Sequence, residues 1–143
     1  MGFRLKVTGG GEEISFDERA ILDLDFVSDS PNDSNARATD FGVSVKIKGK
    51  MLYKLGAESD DHTIKLAKWS QVPSEIDHCY RNAEIQVIAA SKVVRKYVLP
   101  EAFIMEYTEE LDDETGVGIF YIHMKQKKDE NAKVEINGGF DGE

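Results

Sequence analysis

Apolar and polar residues exchange places at every second position along most of this chain, the spacing of strands that bury one face. Phe3, Leu5 and Val7 alternate with Arg4 and Lys6, which predicts a first strand closed by Gly9, Gly10 and Gly11. Ile14 and Phe16 mark a short second strand. From Ile21 to Val27, Leu22, Leu24 and Phe26 fall on one face and Asp23 and Asp25 on the other, so this strand has a dry and a wet side. Phe41, Val43, Val45, Ile47 and Met51 then take one side of a further strand, which is expected to pair with the preceding one as a long hairpin. The segment SDSPNDSNARATD, residues 28 to 40, joins them. Loops of that length inside a compact domain are usually functional or disordered.

The middle of the chain changes period. Ile64, Leu66 or Ala67, and Trp69 recur at helical spacing, with Asp60 or Asp61 available as N-cap and Pro73 closing the segment, so one helix is expected between Asp61 and Val72. A second helical turn is expected within Pro73 to Arg81. Alternation returns from Ala83 to Ser91. It continues in VVRKYVLPEAFIMEYTEELDDETGVGIFYIHMKQKK, residues 93 to 128, as two runs joined by an acidic turn that ends in glycine. Strict alternation places Phe103, Met105 and Tyr107 on one face and Ala102, Ile104, Glu106 and Thr108 on the other. In the return run Phe120, Ile122 and Met124 alternate with Ile119, Tyr121 and His123. The fold class expected is mainly β (α+β), either two packed antiparallel sheets or a β-barrel of about seven to eight strands, with one principal helix.

Length and composition add boundaries. A chain of 143 residues is the size of one domain, read as residues 1–143, with residues 137–143 (NGGFDGE) as a flexible tail. No apolar run approaches the roughly 20 residues of a spanning helix, so membrane insertion is not expected. The first residues, MGFRLKVTGGG, have no uninterrupted apolar core of a signal peptide, which points to synthesis in the cytoplasm. The single cysteine, Cys79, has no internal partner for a disulfide. A net charge of −9 argues against direct nucleic-acid binding, because phosphate contacts need clustered Lys and Arg. Two groups of lysines do occur: Lys46, Lys48 and Lys50, and Lys125, Lys127 and Lys128. They read as solvated strand edges guarded against aggregation, or as contacts to an acidic surface of a second copy.

Chemistry-bearing motifs are weak. The GGG at residues 9 to 11 lacks the Gly-Lys-Ser/Thr ending of a phosphate loop and reads as a turn. His78 and Cys79, with His62 upstream, lack the spacing of a metal site or of a thiol–imidazole pair. Asp23 with Asp25, and Asp112, Asp113 and Glu114, lack the alternating oxygen ligands of a calcium loop. No catalytic motif has a supporting context, so neither enzyme activity nor a cofactor is expected.

The order of features resembles the phage tail-tube fold shared by the hemolysin-coregulated protein of type VI secretion and by tube proteins of contractile injection systems and defective prophages. The features are the early strand pair, the polar loop SDSPNDSNARATD, the strand FGVSVKIKGKM, the helix around HTIKLAKWSQV, and the closing strands. Tyr97, Ala102 with Phe103, Tyr107, the acidic run Glu109 to Glu114, and Phe120 to Met124 carry the nearest echo. The resemblance implies six-membered rings whose sheets join side by side and stack into a hollow tube. It implies partners in a sheath, a baseplate or effectors, and a place in a virion-like particle or secretion through its own apparatus. Asp29, Asn32, Asp33, Arg37 and Asp40 become candidates for the subunit interface, and Asp23, Asp25, Lys46 and Lys48 for the wall or lumen. The competing reading is a monomeric or dimeric β-barrel binding module with an apolar pocket near Trp69.

Overall fold

The computed structural model describes residues 1–29, 42–51, 61–127 and 133–138. Among the described residues there are eight strands: β1 (Gly2–Gly9), β2 (Glu12–Phe16), β3 (Ile21–Asp29), β4 (Gly42–Lys50), β5 (Arg81–Ala89), β6 (Lys92–Leu111), β7 (Gly118–Gln126) and β8 (Glu135–Gly138). They form one antiparallel sheet in the order β2-β1-β5-β6-β7-β4-β3, with β8 also on β6. The sheet rolls over on itself. Phe16 of β2 meets Phe120 of β7 with ring centroids 5.2 Å apart, and Phe26 of β3 stacks on Tyr97 of β6 at 4.4 Å. Of the two arrangements expected, the mainly β class with one helix is therefore realised as a single curled sheet around one core. Leu5, Val7, Ile14, Val45, Ile47, Ile85, Leu99, Phe120, Ile122 and Met124 line that core.

Helix α1 (His62–Ser70) forms where its spacing predicts. The Asp61 carboxylate accepts the Thr63 backbone N–H at 3.1 Å, satisfying one of the donors that a helix start leaves open. Lys68 stands in the last turn, where positive charge suits the helix dipole. Leu66 and Trp69 then point into the core at 0% and 1% exposure. The second helical turn is reduced to one 3₁₀ turn, Asp77–Cys79.

The described ladders carry four register irregularities, one of them between Val87 and Ile88 opposite β6, and the other three bear on the simple alternation. One between Ile21 and Asp23 turns Ile21 inward and leaves Leu22 exposed, so only Leu24 and Phe26 of the expected dry face pack on the core. A second, between Ile104 and Glu106, exchanges the faces of β6. Ala102, Ile104 and Tyr107 pack inward, while Met105 is exposed, so Phe103, Met105 and Tyr107 do not share a face. A third lies opposite Arg81 and Ala83, where β6 passes from Leu99 to Ala102. Pro100 sits in that irregularity, which is how a 20-residue strand runs through a residue that cannot donate to a ladder.

The β5–β6 hairpin turns on Ala90 and Ser91, both left-handed at φ 53° and 63°. That is the backbone of a type I′ turn, usually occupied by Asn-Gly because a Cβ is strained there. Replacing Ala90 by Asn together with Ser91 by Gly should raise stability by about 1–2 kcal/mol. A higher urea midpoint with an unchanged m-value is the expected reading.

Candidate functional site

The chemistry of this molecule lies in its strand edges. At one end of the sheet, β2 is guarded by helix α1. The Ser15 N–H donates to His62 Nδ1 at 3.0 Å, and Lys65 Nζ donates to the Glu13 carbonyl at 3.2 Å. Backbone groups that would template a further strand are thus taken by side chains. At the other end, β3 has β4 on one side and, among the described residues, no strand hydrogen-bonded to it on the other. A further open edge lies on β6. Ala102 pairs with both Arg81 of β5 and Gln126 of β7, and beyond it only β7 continues alongside. From 103 to 111 the edge of β6 opposite β7 is unpaired among the described residues.

Which backbone groups point out of that edge follows from the ladder. Asp112 N donates to the Val117 carbonyl at 3.3 Å, and bonded pairs alternate in an antiparallel ladder. Thr108 and Glu110 therefore share the parity that bonds to β7, opposite Tyr121 and Ile119. Tyr107, Glu109 and Leu111 turn their N–H and C=O outward.

Between the two open edges lie four strands, β3-β4-β7-β6, and their outer face is polar. Register carries one row across it from Asp25 to Lys46 to His123 to Glu106. A second row runs from Asp23 to Lys48 to Tyr121 to Thr108. Lys48 lies 5.9 Å from the centre of the Tyr121 ring, and the Tyr121 hydroxyl donates to Glu110 at 3.3 Å. These side chains line a shallow trough of about 510 Å³. Asp23, Asp25, Lys46 and Lys48 are thus on one face. Glu106, Glu110, Tyr121 and His123 join them.

Burial, then the ammonium groups of Lys46 and Lys125, hold the His123 imidazole below its ordinary value of 6.5, against the opposing pull of Glu106. Folding therefore favours neutral His123. Its contribution to stability is complete above pH 6.5 and is lost as pH falls through the lowered folded value. His123→Gln should flatten the fall in stability just below pH 6.5, as read from urea melts across that range. Asp17, held low mainly by the hydrogen bond from Arg19, and Glu18, held low by its own backbone and by Arg4, lose their contributions only at more acid pH.

Asp29 ends β3 opposite Gly42, while Asn32, Asp33, Arg37 and Asp40 lie outside the described residues. Gly9, Gly10 and Gly11 make the β1–β2 turn at positive φ. The Cys79 thiol is buried and pushed up by that burial, and its carbonyl accepts from Trp69 Nε1 at 2.8 Å. The carboxylate of Asp112 is used by the hairpin turn, accepting from Glu114 N at 3.0 Å and from Thr115 Oγ1 at 2.9 Å. Trp69 is packed in the core with the Arg81 guanidinium 5.2 Å from its ring, so it has no open face toward a ligand.

No family model and no curated relative matches the chain. Solved structures do. Hcp1 from the E. coli EAEC 042 pathovar, solved as a double mutant, is 11% identical with a TM-score of 0.61, over 98% of this chain and 100% of that one. Hcp1 from Flavobacterium johnsoniae is 16% identical with a TM-score of 0.55, over 96% and 98%. The chain has the Hcp fold. The same fold relates it to a chain of the six-fold symmetrised baseplate of the anti-feeding prophage, 15% identical with a TM-score of 0.52, over 96% and 93%. The tail-tube resemblance read from the order of strands, polar loop and helix is thus met at the level of the fold. The similarity in fold spans nearly the whole chain.

Proposed function

We propose that this protein is a structural subunit that joins edge to edge into six-membered rings, which stack as the inner tube of a phage tail-like contractile injection or secretion apparatus. The observation that carries the reading is the pair of open edges. Four is an even number of alternating strands, so β6 of one copy meets β3 of the next in antiparallel sense, and the added pairing satisfies both rows of backbone groups. The contact is heterologous, and such contacts either close into rings or run on as filaments. Six-fold symmetry in the anti-feeding prophage assembly, to which this chain is similar in fold, supports closure at six.

Six copies contribute a wall of about 24 strands, beyond the 16–18 at which barrels already enclose an aqueous channel. The polar face then borders water on one side of that wall while the apolar side stays packed within each subunit. In this reading the subunit works as masonry and has no catalytic role. Its partners are further copies of itself, a sheath, a baseplate and the effectors that travel inside. Its destination is a virion-like particle or export through its own apparatus, after synthesis in the cytoplasm. Residues 28 to 40 are assigned to contacts with the neighbouring subunit or the next ring, through Asp29, Asn32, Asp33, Arg37 and Asp40. Native mass spectrometry tests the stoichiometry. A dominant species of six subunits is expected, and a distribution ending at one or two subunits would remove the proposal.

A further inference from the structure

The order of charges across the polar face has a consequence for how copies meet. Acidic residues occupy both border strands, Asp23 and Asp25 on β3 and Glu106 and Glu110 on β6. The cations sit inside, Lys46 and Lys48 on β4 and Lys125 on β7. Asp23 and Asp25 each have a lysine directly opposite within their own subunit, Asp23 facing Lys48 and Asp25 facing Lys46. The β6 carboxylates have none: Glu106 faces His123, and Glu110 faces Ile119 with only the Tyr121 hydroxyl on it.

We infer that contact between copies of this chain is gated by ionic strength through these two acidic borders, which edge-to-edge joining lays side by side. The inference rests on the assembly reading above and adds its regulation. Neighbouring strands lie about 4.8 Å apart, so the β6 carboxylates of one copy come to lie beside the β3 carboxylates of the next. Like charges facing one another across a ladder oppose pairing. The lysines of β4 stand one strand further from the junction and offset the β3 border only in part. Each junction repeats the same opposition, so closure of a ring meets it at every contact. Exposed charges at this spacing are only weakly screened at about 0.01 M salt, where the Debye length is about 30 Å, and strongly at about 1 M, where it is about 3 Å. Subunits therefore stay apart in dilute salt and close when ionic strength rises or a partner screens the borders.

The test compares ring formation by sedimentation velocity over about 0.02 to 1 M sodium chloride. It uses the full-length protein, Glu106→Gln with Glu110→Gln, and a charge-matched control, Glu75→Gln with Asp77→Asn, whose carboxylates lie in the exposed segment before β5 and outside the polar face. The border variant should form rings at a protein concentration about 3- to 10-fold lower than the parent in dilute salt, with the difference vanishing near 1 M. The control should follow the parent. Equal shifts in the control would overturn the inference in favour of overall net charge. Rings that form without any difference between border variant and parent would overturn it and leave the assembly reading standing. Failure of every protein to form rings at any salt would sink the assembly reading and the inference with it.

Discussion

Proline at position 109 should abolish ring formation and leave the subunit folded. The Glu109 N–H has the parity that turns away from β7, toward the open edge of β6. Proline there removes no bond of the β6–β7 ladder, and edge strands tolerate proline on their outward-facing side. What it removes is a donor that a second copy would use, together with the carboxylate that accepts the Tyr107 hydroxyl at 2.7 Å, and its ring stands where the incoming strand must approach. Glu110→Pro is the contrasting variant, because it withdraws a donor from the ladder itself opposite Ile119 and should damage the fold. The expected pair of results is native circular dichroism with loss of the six-subunit species for the first, and reduced thermal stability for the second. Intact rings with Glu109→Pro would mean that copies do not meet along this edge.

Trp69→Ala should be the most destabilising single change considered, at about 3–5 kcal/mol. The side chain is 1% exposed and its Nε1 donates to the Cys79 carbonyl at 2.8 Å, tying α1 to the 3₁₀ turn. The Arg81 guanidinium lies 5.2 Å from the ring, and Arg81 is itself only 4% exposed. Arg81 pairs with Glu12 at 2.9 Å, donates from Nε to the His78 carbonyl at 3.0 Å, and packs against Gly9 and Gly10 of the β1–β2 turn. Removing the indole therefore opens a cavity and loosens the setting of a buried charge, two of the costliest events in a core. Trp69→Phe separates the terms. It keeps most of the volume but leaves the Cys79 carbonyl without its donor, at about 1–3 kcal/mol. Urea melts of the two variants distinguish packing from hydrogen bonding, and similar small losses in both would contradict the description of this node. A domain of ordinary stability, about 5–15 kcal/mol, has little margin for the alanine variant.

Much of this fold is legible because half-buried strands write their faces into every second residue. Phe120, Ile122 and Met124 of β7, Val43, Val45 and Ile47 of β4, and Asp61 as the cap of α1 all stand where the sequence puts them. The misreadings have one physical source. A bulge inserts a residue and moves every later side chain to the other face, so Leu22, Met105 and Tyr107 follow the bulges and not the alternation. The turn at Ala90 and Ser91 carries neither Gly nor Asn, so nothing in its composition announces a left-handed backbone.

The open edges were not legible at all. They depend on which strands lie beside one another, and β6 acquires its free stretch only because it outruns β5 at Arg81. The polar face was legible in pieces, with Asp23, Asp25, Lys46 and Lys48 readable as wet. That β7 lies between β4 and β6, and so brings Tyr121, His123, Glu106 and Glu110 to the same trough, is a property of the sheet order alone.

The most direct test of the central claim is the mass of the particle in solution. Light scattering after size exclusion, across protein concentration and salt, with negative-stain microscopy of the heaviest fraction, reads both size and shape. Rings of six subunits or stacked tubes are the predicted result, and a strictly monomeric protein at high concentration and high salt would contradict the claim.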